Sequence, residues 1–174
     1  GWADFLRKLV SRGLHGVQLV VSDAHSGLKE AIGSVLTGAS WQRCRTHFMR
    51  NLLTKVPKSQ QQLVASIVRT VFSQASADAV ETQMDTVIAE LTRRAPAAAQ
   101  MLRECREEIL AFTSFPSEHW RKIWSNNPIE RLNREIRRRT DVVGIFPNRA
   151  AIIRLVGAVL AEQNDEWAIG RRYL

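Results

Sequence analysis

VQLVVSD, Val17 to Asp23, is a short and nearly continuous apolar run that ends on a carboxylate. It is rich in β-branched side chains and too short for a helix, which reads as a buried strand of a parallel sheet. On its N-terminal side, residues 2 to 13 repeat apolar side chains at helical spacing, with Phe5, Leu6, Leu9 and Val10 on one face and Gly13 as the stop. On its C-terminal side a helix is expected from about Ala24 to Leu36, with Leu28, Ile32 and Val35 inward and Gly38 ending it. Ser40 to Cys44, short and carrying Trp41, reads as a second strand. Helix, strand, helix, strand in that order predicts an α/β fold whose parallel sheet is covered by helices. Two strands alone do not make a stable sheet of this kind, so companion strands are expected upstream of Gly1 in a longer protein.

Residues 45 to 56 fit a further helix that stops before Pro57. The pattern then becomes wholly helical. Ser59-Gln60-Gln61-Gln62 fits a capping box, opening a helix with Leu63, Val64, Ile67, Val68, Val71 and Phe72 inward. Ser76 fits the cap of a second, with Val80, Met84, Val87, Ile88 and Leu91 inward. Pro96 starts a third, with Met101, Leu102, Cys105, Ile109 and Phe112. The expected organisation is mostly helical: an α/β core over residues 1–57, an all-helical insertion over 58–117, and completion of the core over 118–174. In the last part a short link, Asp141 to Phe146, precedes an apolar helix from Ala151 to Glu162.

The 174 residues hold 25 Lys plus Arg against 17 Asp plus Glu, a formal charge of +8. Such a balance points to an anionic partner, most often nucleic acid. Residues 121–140 alone carry seven basic side chains against two acidic ones, Glu130 and Glu135. Two cysteines, Cys44 and Cys105, do not make a disulfide framework, and a reducing cytoplasm fits them. No apolar run is long enough to span a bilayer as a helix, so no membrane partner is expected.

Within the basic segment lies SNNPIERLNREIRRRT, Ser125 to Thr140. Pro128 suits the first helical position and keeps Asn127 extended as the N-cap. Ile129, Leu132 and Ile136 form one inward stripe. Glu130 heads a face otherwise rich in arginine. It is either the third residue of a capping box beside a solvated basic face, or a ligand carboxylate beside cations that hold a phosphate backbone. Asp23 carries the same pair of readings. It caps the helix that follows, or it is a functional group just beyond a strand's carboxyl end, where open α/β sheets bind ligands. As ligands, the two would hold divalent ions for phosphodiester chemistry. As caps, they leave a non-catalytic DNA-binding protein or helical adaptor.

LVVSDAHSGLKEAI, WQRCRTHFMRNLLTKVPK and SNNPIERLNREIRRRTDVVGIFPN, in that order, closely resemble the Mutator-type transposases of bacterial insertion sequences. The resemblance implies a ribonuclease-H-like catalytic domain, with an all-helical insertion between its last strand and the helix of the final glutamate. It implies a parent DNA transposase that cuts and rejoins DNA by metal-dependent phosphoryl transfer, without a covalent protein–DNA intermediate. That chemistry uses an Asp-Asp-Glu triad and a pair of Mg²⁺ or Mn²⁺ ions. By motif, Asp23 resembles the second aspartate and Glu130, in N-x-x-E-x-x-N form, the glutamate; both would be catalytic and metal-binding. The first aspartate, on an earlier strand, matches no residue here. Transposon ends and target DNA as partners, a homo-oligomer, and a cytoplasmic, nucleoid-associated location are also implied.

Candidates for phosphate contact are Arg131, Arg134, Arg137, Arg138 and His25, the last equally readable as an exposed first-turn histidine. Glu135 rivals Glu130 but pairs at helical spacing with Arg131 or Arg139. Cys44-Arg45-Thr46-His47 matches a C-x-x-H signature of the family. A site-shaping role fits it better than half of a zinc site, which usually has four ligands. Trp120 and Trp124, one turn apart, suit core packing better than base stacking.

Overall fold

Helix α1 (Trp2–Ser11) runs through Gly13, whose φ of +101° favours glycine, towards strand β1 (Leu19–Ser22). The computed structural model describes residues 1–170, in two units: Gly1–Asn126, and the segment that begins at Asn127. In the first unit, helix α2 (Ser26–Val35) connects β1 to strand β2 (Ser40–Arg43). The strands pair in parallel, from Leu19 opposite Ser40 to Ser22 opposite Arg43. The Trp41 indole N–H donates to Ser22 Oγ at 2.8 Å and pins the pair. α1 packs on α2, and a small core of Leu6, Ala31, Ile32 and Leu36 gathers Val20, Leu28 and Trp41 around it. The α/β class is present in small form. β1 starts at Leu19, later than the apolar run, although the Ser40 N–H already donates to the Gln18 carbonyl at 2.8 Å.

Helix α3 (Arg45–Leu53) leaves β2, and every later element of the first unit is helical. These are α4 (Lys58–Arg69), a 3₁₀ turn (Thr70–Ser73), α5 (Ala77–Arg94), α6 (Pro96–Glu104) and α7 (Arg106–Leu110). Further 3₁₀ turns (Ala111–Ser114, Ser117–His119) and α8 (Trp120–Ile123) follow. A larger core runs through them, including Phe48 and Leu52 of α3, Met84 and Leu91 of α5, Leu102, Ile109, Phe112 and Trp120. Burying such side chains contributes roughly 1.5–3 kcal/mol each.

Ser76 caps α5 as expected, its Oγ accepting from the Ala79 N–H at 3.2 Å. The capping box at Ser59 does not form. Pro57, fixed at φ −54°, is itself the N-cap, and α4 starts two residues early at Lys58. Gln61 turns back to donate to the Leu53 and Val56 carbonyls at 2.8 and 3.1 Å, satisfying the end of α3 and the turn after it. The helix expected from Pro96 to Phe112 breaks at Cys105 (φ −104°, ψ 7°). There Arg106 is drawn to α5, donating to Glu81 at 2.8 and 2.5 Å and to Asp85.

The second unit is a helix pair, α9 (Asn127–Val143) and α10 (Arg149–Gly170), packed on each other. α9 includes Asn127 and runs past Thr140 into the expected link, to a turn at Gly144 (φ +70°). Asn148 Oδ1 accepts from the Ala151 N–H at 2.9 Å, so α10 starts before Ala151. In α9 Leu132 is buried but Ile129 stays exposed, correcting the fully inward stripe expected from spacing; in α10 Val159 is buried and Ile152, Ile153 and Leu160 are exposed. One pair of helices covers only part of each apolar face. Among the described residues, no helix is long and apolar enough to cross a membrane.

Candidate functional site

The strand register builds the site in the first unit. Continuing it one residue past Ser22 and Arg43 sets Asp23 beside Cys44, and the Cys44 N–H donates to the Ser22 carbonyl at 2.8 Å. The chain then turns tightly, the His25 N–H donating to the Asp23 carbonyl at 2.8 Å. Asp23 does not cap α2. The cap is His25, whose Nδ1 accepts from the Leu28 N–H at 3.3 Å.

The Asp23 carboxylate is about half exposed and faces His47, in the first turn of α3, with Oδ1 2.5 Å from Nδ1. Cys44 is fully buried, and one ligand atom from each of Asp23, Cys44 and His47 lies within 4.8 Å of the others. The Cys44 thiol donates to Asn126 Oδ1 at 2.9 Å, and the Arg45 N–H donates to the Trp124 carbonyl at 2.9 Å. The C-x-x-H segment thus ties Asp23 on one side and residues 124–126 on the other to the start of α3. The donors are mixed in kind: a hard carboxylate oxygen, an imidazole and a thiol.

In the second unit Glu130 lies in the first turn of α9. Arg131, Arg134 and Arg137 are exposed and in no ion pair among the described residues. Glu135 is an ion-pair residue, holding Arg138 at 2.7 Å and Arg139 at 2.8 Å, while Arg139 also reaches Glu162 at 2.8 Å. The hydrogen bonds from Arg138 and Arg139 hold the Glu135 carboxyl at a pKa of about 2. Arg138, three residues on, takes the place that spacing had offered to Arg131.

His25, besides capping α2, stands edge-on to Trp2 at 6.2 Å between ring centroids. Trp120 is a core residue, its indole N–H donating to the Phe115 carbonyl at 2.8 Å and its ring meeting Phe112 at 5.2 Å. Trp124 is half-buried and carries the Arg45 guanidinium over its ring at 4.1 Å. The sequence reading overlooked Asn126 and Arg45, and did not bring Asp23 together with the C-x-x-H pair. Parallel pairing of residues 19–22 with 40–43 was the signal for the last of these.

The chain matches the family described as "Transposase, Mutator family" over residues 1–170, and it belongs to that family. It is 59% identical over its whole length to the transposase for insertion sequence element IS1081 of Mycobacterium tuberculosis, covering 42% of that protein. It is 40% identical, over 99% of the chain and 44% of the relative, to the transposase for ISRM5 of Rhizobium meliloti. To the transposase for IS256 in transposon Tn4001 of Staphylococcus aureus it is 36% identical, over 98% of the chain and 44% of the relative. The chain therefore spans less than half the length of these curated relatives.

Proposed function

We propose that this chain is the part of a DNA transposase that contributes two carboxylates, Asp23 and Glu130, to metal-dependent cutting and rejoining of DNA. The observation that carries the proposal is Asp23: it lies beyond a strand end, caps no helix, and stands 2.5 Å from His47 Nδ1. The adaptor reading needed Asp23 as a cap, and His25 takes that role.

Mg²⁺ and Mn²⁺ favour oxygen ligands, commonly one or two carboxylates completed by water, and the exposed Asp23 oxygens fit that demand. Asp23 and Glu130 would hold the ions, with the family's first aspartate supplied by the parent protein. When bound, such ions polarise the phosphoryl oxygens and activate the attacking hydroxyl. In this reading His47 orients the Asp23 carboxylate. Arg131, Arg134 and Arg137 neutralise backbone phosphates, joined by Arg138 where Glu135 releases it. The exposed edge of His25 offers a further phosphate contact. The two parallel strands would belong to a ribonuclease-H-like sheet that the parent completes. DNA ends and target are the substrates, a homo-oligomer the working form, and the cytoplasm, on nucleoid DNA, the place.

The test uses the full-length parent. Asp23→Asn and Glu130→Gln should each reduce Mg²⁺-dependent strand cleavage to background, while anisotropy titrations keep DNA affinity within about threefold, well under one charged hydrogen bond. Cleavage that survives either change removes that carboxylate from the chemistry.

A further inference from the structure

In the first unit a cleft of about 530 Å³ opens between α3, the end of α4 and α8. Arg45, Arg69 and Arg121 line it, with Phe72, Trp124 and Met49 as its apolar wall. Among the described residues that line it none is acidic, and none of the three arginines is in an ion pair. Arg45 is half-buried, its guanidinium stacked over Trp124 at 4.1 Å and beside Phe72 at 5.1 Å. Burial, and then the charge of Arg69, pull its pKa below the usual arginine value. Like charges thus share a partly desolvated recess without a counter-ion. Stacking fixes the plane of Arg45 and leaves its N–H edge for a ligand.

We propose that this cleft binds a backbone phosphate of a DNA strand, held by Arg45, Arg69 and Arg121, with the sugar against the apolar wall. It is a DNA contact additional to the arginines of α9, and it rests on the reading of the chain as a DNA-acting transposase segment. Guanidinium forks match phosphate oxygens, and such contacts fix position without reading bases.

The test is fluorescence anisotropy with the full-length parent, a labelled oligothymidylate strand and a duplex of equal length, over a range of salt. Arg69→Gln and Arg121→Gln alter exposed side chains, so the fold should survive, as equal thermal midpoints would verify. Each should weaken binding about tenfold, the loss of one charged hydrogen bond. Each should flatten the log–log salt slope by roughly 0.7 on the single strand or 0.9 on the duplex, and the probe more affected identifies the form bound. Arg45→Lys keeps the charge but not the fork, and should lose affinity with the slope retained. Unchanged affinity and slope in both glutamine variants would overturn the cleft while leaving DNA binding intact. Arg134→Gln on α9, run in parallel, reports on that other contact. A wild-type chain that binds neither probe would remove the cleft and the DNA reading together.

Discussion

Gln42 shows how much one polar side chain organises. It is fully buried on β2, and its amide is engaged on both sides. Nε2 donates to the Arg43 and Ile109 carbonyls at 2.8 and 3.0 Å, and Oε1 accepts from the Phe112 N–H at 2.8 Å. The amide therefore bolts the sheet to the helical layer. Gln42→Leu keeps the volume and strands a buried N–H and a buried C=O. It should cost about 2–4 kcal/mol, read as a lower urea midpoint with unchanged slope. Gln42→Glu should also destabilise, because a carboxylate still accepts from Phe112 but cannot donate to Ile109. None of this was legible in the sequence, where Gln42 is one polar residue in a short strand. The places of Asp23 just past a strand and of Glu130 in a helix's first turn were legible, because a strand end and a proline-initiated helix are local patterns. The Asp23–His47 contact was not, because it depends on which residues of β1 and β2 face each other.

At the level of elements, the helices were readable where one strong local signal set them, as Ser76 does for α5 and Pro96 for α6. They were misread where a partner from elsewhere intervened, as Arg106 does when α5 draws it out of a continuous helix. α9 carries its own ion pairs, and these give it a pH dependence. Arg138 and Arg139 lower the Glu135 pKa from 4.5 to about 2. A depressed carboxylate pKa means that the ionised form is favoured in the folded helix. The contribution is complete above pH 4.5 and is lost as pH falls through about 2. Amide exchange protection in the middle of α9 should therefore hold from neutrality to about pH 4.5 and decline below it. Glu135→Gln should remove that decline and lower protection at neutral pH. An identical acid profile in the variant would mean that other carboxylates set the acid limit of this helix.

Across the whole molecule, a formal charge of +8 favours a polyanionic partner, and in the proposed DNA contact the arginines would not contribute alike. Arg138 and Arg139 are already engaged by Glu135, whereas Arg131, Arg134 and Arg137 present exposed guanidiniums in no ion pair among the described residues. Each phosphate neutralised adds about −0.9 to the log–log salt slope on duplex DNA. Replacing Arg131, Arg134 and Arg137 with alanine should therefore flatten the slope by up to roughly 2.7. Arg138→Ala should flatten it less than either Arg134→Ala or Arg137→Ala, since its fork must leave Glu135 before it meets a phosphate. Combining Arg138→Ala with Glu135→Gln should change the slope no further. Binding to unrelated sequences should weaken in parallel, because phosphate contacts position a protein without selecting bases. If Arg138→Ala instead has the largest effect of the single changes, Glu135 does not compete with DNA, and its ion pairs serve to aim Arg138 at the backbone.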